Sequence, residues 1–144
     1  PEILKQGDDI SSVSYGSTLR IVQEAAETLA RAGIHCEVID VQTLLPFDIN
    51  HHIVASLKKT NRIIFIDEDV PGGAVAFMFN KVMEEQGGYK FLDVAPRTMT
   101  AQEHRPSYAS DGDYFSKPSV DDVIEAVYAM MNENNSAKYP AIFS

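Results

Sequence analysis

The chain has 144 residues, 44% of them hydrophobic and 23% charged, with 8 Gly and 7 Pro. That composition fits one globular domain and excludes a disordered acidic tail, a collagen-like repeat and a coiled coil. Twelve Lys+Arg against 21 Asp+Glu leave a net charge of −9, which repels nucleic acid and anionic membrane and suits a basic protein partner.

No apolar run reaches the roughly 20 residues that cross a bilayer, and no basic stretch followed by an apolar one opens the sequence, so no signal peptide is expected. The single cysteine, Cys36, cannot form an internal disulfide. This fits a reducing cytoplasm and a small buried hydrophobe.

Residues 1–10 are polar and aperiodic, and are expected as a linker into a domain over 11–132, with 133–144 as a tail. Ser12-Val13-Ser14-Tyr15 alternates and stops at Gly16, which predicts a short strand. Ser17 or Thr18 is placed to cap a helix carrying Leu19, Val22, Ala26 and Leu29 on one stripe, with Gly33 as its stop. A second strand is expected at Cys36–Ile39. Pro46 interrupts, and Asp48 can cap a second helix facing inward through Ile49, Ile53 and Leu57 and ending at Asn61. Ile63–Ile66 is continuously apolar, the pattern of a strand covered on both faces.

Pro71-Gly72-Gly73 turns into a third helix with Val75, Met78, Phe79 and Val82 on one side, closed by Gly87-Gly88. Phe91–Ala95 reads as a weaker fourth strand. Pro96 to Pro118 has no period and is expected as a long functional loop. Ser119 and Asp122 form a capping box for a last helix through Val120, Val123, Ile124 and Val127. Alternating strands and helices predict an α/β fold: three layers, α/β/α, around a mostly parallel or mixed sheet of about five strands.

Asp67-Glu68-Asp69 follows the most apolar strand, where open α/β sheets gather ligands. Such a cluster could hold a divalent cation or accept a phosphoryl group as in a response regulator. That chemistry needs further acids after the first strand, where Tyr15-Gly16 stands instead; Asp8-Asp9 precede that strand. Gly72-Gly73 lacks the spacing of a phosphate-binding loop and reads as a tight turn. His51 and His52 are adjacent on a helix and point apart, so they cannot ligate one metal. His35 is expected to be exposed. His104 lies in the long loop and is the histidine with a plausible role. The aromatic, acidic run containing Tyr108, Asp111, Asp113, Tyr114 and Phe115 is expected as a partner interface. Together these residues offer no complete active site.

Val13–Ser17, Cys36–Asp48, Lys59-Thr60-Asn61-Arg62, Asp67-Glu68 and Gly72-Gly73 together resemble the C-terminal domain of the transketolase superfamily. The form most similar is the β part of thiamine-diphosphate-dependent 2-oxo acid dehydrogenase decarboxylating components. The resemblance runs over roughly residues 7 to 95 and the last helix, most specifically Val38–Asp48. Asp67 stands where the family usually carries His, and the segment before the last helix is longer, which points to a divergent branch.

The resemblance implies a domain that supports assembly and holds no catalytic, cofactor or metal residue of its own. The chain is then a fragment of a parent that decarboxylates pyruvate or a branched-chain 2-oxo acid and passes the acyl group to a lipoyl arm. Thiamine diphosphate and Mg would sit between its pyrimidine-binding and diphosphate-binding domains. The implied partners are those two domains, further subunits in a homodimer or heterotetramer, and the small basic binding domain of a dihydrolipoyl acyltransferase. Glu68 and His104 are the residues expected to face the parent's active site. Two other readings stay open: the C-terminal domain of a transketolase-type sugar enzyme, and a stand-alone receiver or metal-binding α/β domain.

Overall fold

The computed structural model describes residues 1–68, 73–103 and 115–140, the side chains of 102, 103, 115 and 116 excepted. Strands β1 (Glu2–Lys5), β2 (Ile10–Ser14), β3 (Cys36–Asp40), β4 (Ile63–Ile66) and β5 (Arg97–Met99) form one sheet in the order β1-β3-β2-β4-β5. β2, β3, β4 and β5 run parallel, and β1 pairs antiparallel on β3. The sheet is therefore mixed. Residues 1–10, expected as a linker, carry its edge strand: Ile3 pairs with Ile39 and Glu2 with Asp40. Too short and polar to show a period, this segment is held by its neighbour's ladder.

Helices α1 (Thr18–Arg31) and α4 (Val120–Asn134) cover one face, and α2 (His52–Thr60) and α3 (Ala74–Phe79) the other. The three-layer α/β/α expectation is met. Alternation sorts the sheet side chains. Ile10, Val38, Ile64 and Ile66 pack with Val22, Leu29, Val123 and Val127, while Val13, Ile39 and Phe65 pack with Ile53, Leu57, Val75 and Val82. Ile63–Ile66 is fully buried, as a central parallel strand requires.

Several local expectations need correction. Ile49 is 72% exposed and precedes α2 instead of facing the core from it. Asp48 does cap α2, its carboxylate accepting from the N–H groups of His52 and Ile53 at 2.8 Å each. The third helix does not stay α-helical: after Phe79 it widens to a π turn over Asn80–Glu85. The fourth parallel strand is Arg97–Met99, inside the expected loop, and Phe91 instead ends a 3-10 turn over Gly88–Phe91. β5 pairs only with β4 and brings one buried-face contact, Met99, too little apolar signal to read locally. The expected loop also contains β6 (Gln102–Glu103), paired antiparallel with β7 (Phe115–Ser116).

The Ser119–Asp122 capping box is present. Beyond α4, Tyr139 of the expected tail is buried in the core beside α1 and α4, and Asn132 donates to its carbonyl at 2.7 Å. The tail is thus packed at least as far as Tyr139.

Candidate functional site

From β2 the chain crosses by α1 to β3, then returns by α2 past β2 to β4. The reversal makes β2 and β4 neighbours whose connections leave in opposite directions, and a crevice opens at their carboxyl ends. Tyr15, Gly16 and Ser17 from the first turn, Asp67 and Glu68 from the second, and Lys117 line a cavity of about 400 Å3 there.

Asp67 is buried, and Thr18 lies 3.5 Å away with its hydroxyl toward Oδ1. Asp67 N–H donates to the Met99 carbonyl, which holds the strand end against β5. Ser17 or Thr18 was expected to cap α1; Ser17 holds the N-cap position without a side-chain cap bond, its hydroxyl donating to Glu68 Oε1 at 3.2 Å, and the Thr18 hydroxyl is turned toward Asp67. Lys117 approaches Glu68 Oε2 at 3.5 Å, a surface pair of small energetic weight. These contacts join residues more than thirty positions apart, so no local sequence signal marks them. Nothing in the sequence around Lys117, which sits just before Pro118, marks it for this crevice.

The crevice presents two carboxylates and one exposed ammonium. That charge balance disfavours a diphosphate, and no group of three or more His, Cys, Asp or Glu among the described residues is arranged to hold a metal ion. The residues therefore do not fit thiamine diphosphate and its Mg. At the opposite sheet edge, Asp9 accepts from the His35 N–H at 2.7 Å. This carboxylate serves β2 and β3, away from Asp67.

A second ionic cluster lies under α2. Glu37 is 1% exposed, accepts from the Gly7 N–H at 3.3 Å and makes a short charged hydrogen bond with Lys59. Burial by itself would raise the Glu37 carboxyl, but hydrogen bonds from Lys59, Ser56 and Gly7 outweigh it and hold the group below its ordinary value. Ser11 joins Ser56 at 2.6 Å and Thr60 at 2.8 Å. This cluster ties β2, β3 and α2 together. Cys36 is buried as expected, and burial pushes its thiol up to about 12.

Of the residues expected to matter, Glu68 lies in the crevice. His104 and the interface residues Tyr108, Asp111, Asp113 and Tyr114 fall outside the described residues, and only the backbone of Phe115 is placed, in β7. His51 and His52 are exposed and line different grooves, but only His52 is helical: His51 precedes α2 in the left-handed region, which corrects the expectation of two adjacent helical positions. Gly73 precedes α3 as expected.

The family model described as "Transketolase, C-terminal domain" matches residues 1–123. Pyruvate dehydrogenase E1 component subunit beta of Rickettsia bellii is 33% identical over 127 residues, 88% of this chain and 38% of that protein. The mitochondrial subunit beta of Mus musculus is 32% identical over 131 residues, 91% of this chain and 36% of that protein. The chain thus spans well under half the length of these relatives. Among solved structures, a chain titled "Split gene transketolase, inactive beta4 tetramer" superposes with a TM-score of 0.67 at 20% identity, covering 91% of this chain and 41% of that one. That likeness speaks to the fold alone.

Proposed function

This chain belongs to the transketolase C-terminal domain family, and from that premise we propose that it is the C-terminal assembly domain of a 2-oxo acid dehydrogenase decarboxylating component. The parent is of the pyruvate or branched-chain type. It decarboxylates its substrate on thiamine diphosphate and passes the acyl group to a lipoyl arm. The observation that carries this reading is the 33% identity over 88% of the chain to a pyruvate dehydrogenase E1 component subunit beta. The match to the family model sets aside the receiver alternative.

In this reading the chain supplies scaffold and contact surface, and other domains of the parent hold the coenzyme. The acid-lipped crevice with its single exposed ammonium supports that division of labour. The net charge of −9 complements a small basic binding domain of a dihydrolipoyl acyltransferase, docking through Tyr108, Asp111, Asp113, Tyr114 and Phe115. Calorimetric titration of the chain with that binding domain tests it. We expect saturable binding that weakens when Asp111→Lys and Asp113→Lys are combined. Unchanged affinity removes the loop from the interface, and no binding at all removes the docking role. Retention of thiamine diphosphate, or turnover of any 2-oxo acid by these 144 residues, overturns the scaffold assignment.

A further inference from the structure

Outside the crevice, α2 presents Val54, Ala55 and Lys58 along one face, with His51 just ahead of its first turn. Across a notch of about 280 Å3 stand Gln86, Lys90 and Phe91, from the end of the π turn and the 3-10 turn. The ammonium groups of Lys58 and Lys90 each lie 5.3 Å from the centroid of the same Phe91 ring. Two cations are thereby gathered on one aromatic, with His51 beside them.

The surroundings make this unusual. The chain carries 21 Asp+Glu, yet no carboxylate lines the notch. Among the described residues neither Lys58 nor Lys90 has an ion-pair partner. Three other lysines are paired, Lys59 with Glu37, Lys81 with Glu85 and Lys117 with Glu68, whereas Lys58 and Lys90 share a ring in place of a carboxylate. One ring attracts each ammonium, and two cations around the same ring concentrate positive charge at the notch. A bound anion neutralises that charge.

His51, held in the left-handed region at φ 58, adds a ring N–H donor. Val54, Ala55 and Phe91 supply an apolar wall. The size and wall suit a small molecule. The acidic remainder of the surface opposes an extended polyanion, while a small ion within one screening length, about 8 Å at physiological salt, responds to the local cations.

We propose that this notch binds the phosphate group of a small molecule, with Lys58 and Lys90 as its charge partners. The test is amide chemical-shift mapping of the full chain at constant ionic strength. The probes are inorganic phosphate, glycerol 3-phosphate as an organic monoester, succinate and sodium chloride. We expect saturable shifts confined to residues 50–58 and 86–91 with both phosphate probes, tighter for the monoester if the apolar wall contributes. Lys58→Gln with Lys90→Gln should weaken binding by roughly tenfold or more, while Lys58→Arg with Lys90→Arg retains it. Both lysines are exposed, so the fold should survive, as unchanged shifts outside the notch will report. Equal shifts with sodium chloride, a linear response spread over all lysines, equal binding of succinate, or full binding by the double glutamine variant each overturn the proposal.

Discussion

Replacing Lys59 by Met isolates the energetics of the cluster under α2. The substitution keeps the aliphatic stem and removes the ammonium from Glu37, whose carboxylate is 1% exposed. Glu37 then retains the Gly7 N–H at 3.3 Å and the Ser56 hydroxyl. Breaking one side of a fully buried pair costs about 3–5 kcal/mol. The Lys59 side chain is 40% exposed, so solvent screens part of this, and we expect about 2 kcal/mol at neutral pH. For a chain this size that lowers Tm by about 6 °C.

The acid dependence has a defined sign. In the native chain the Glu37 value lies below its ordinary 4.5. Its stabilising contribution is fully present above that pH and disappears as pH falls through the lowered folded value. In Lys59→Met, burial becomes the dominant influence and the folded value rises, so the variant's deficit grows as pH climbs through 4.5. Urea unfolding followed by circular dichroism at pH 7 and pH 4 measures both points. A deficit below about 0.5 kcal/mol, the scale of an exposed pair, that does not change with pH refutes the reasoning.

Gly7 sits so close to β3 that an added Cβ would lie 2.5 Å from the Cys36 carbonyl carbon and the His35 oxygen. Gly7→Ala should therefore displace the β1 connection and destabilise by about 1–3 kcal/mol, with loss of hydrogen-exchange protection at β1; full protection would show that β1 is not anchored there. Cys36, with its thiol at about 12 through burial, should not react with a thiol-specific disulfide reagent at pH 8 until urea unfolds the chain. Rapid labelling of the folded protein would contradict its buried position.

What was legible in the sequence was whatever a short stretch of chain decides for itself. Continuous Ile63–Ile66 suits a covered strand, Asp48 and Ser119 suit positions ahead of helices, and Asn61 and Gly33 take left-handed turns that end α2 and α1. The family segments Val13–Ser17 and Cys36–Asp48 lie on β2, β3 and the turns beyond their carboxyl ends. Tertiary structure alone decided the rest, because the stabilising partners lie far away in the chain. β1 and β5 are short and only weakly apolar, and exist as strands because β3 and β4 offer them backbone groups to pair with. Ser17 abandons its helix cap for Glu68, and Tyr139 turns from tail to core. Lys58 and Lys90 meet over Phe91 only when the turn after α3 folds back on α2. Local propensity is a property of neighbours in sequence, whereas charge pairing and edge pairing depend on neighbours in space, which the fold must first create.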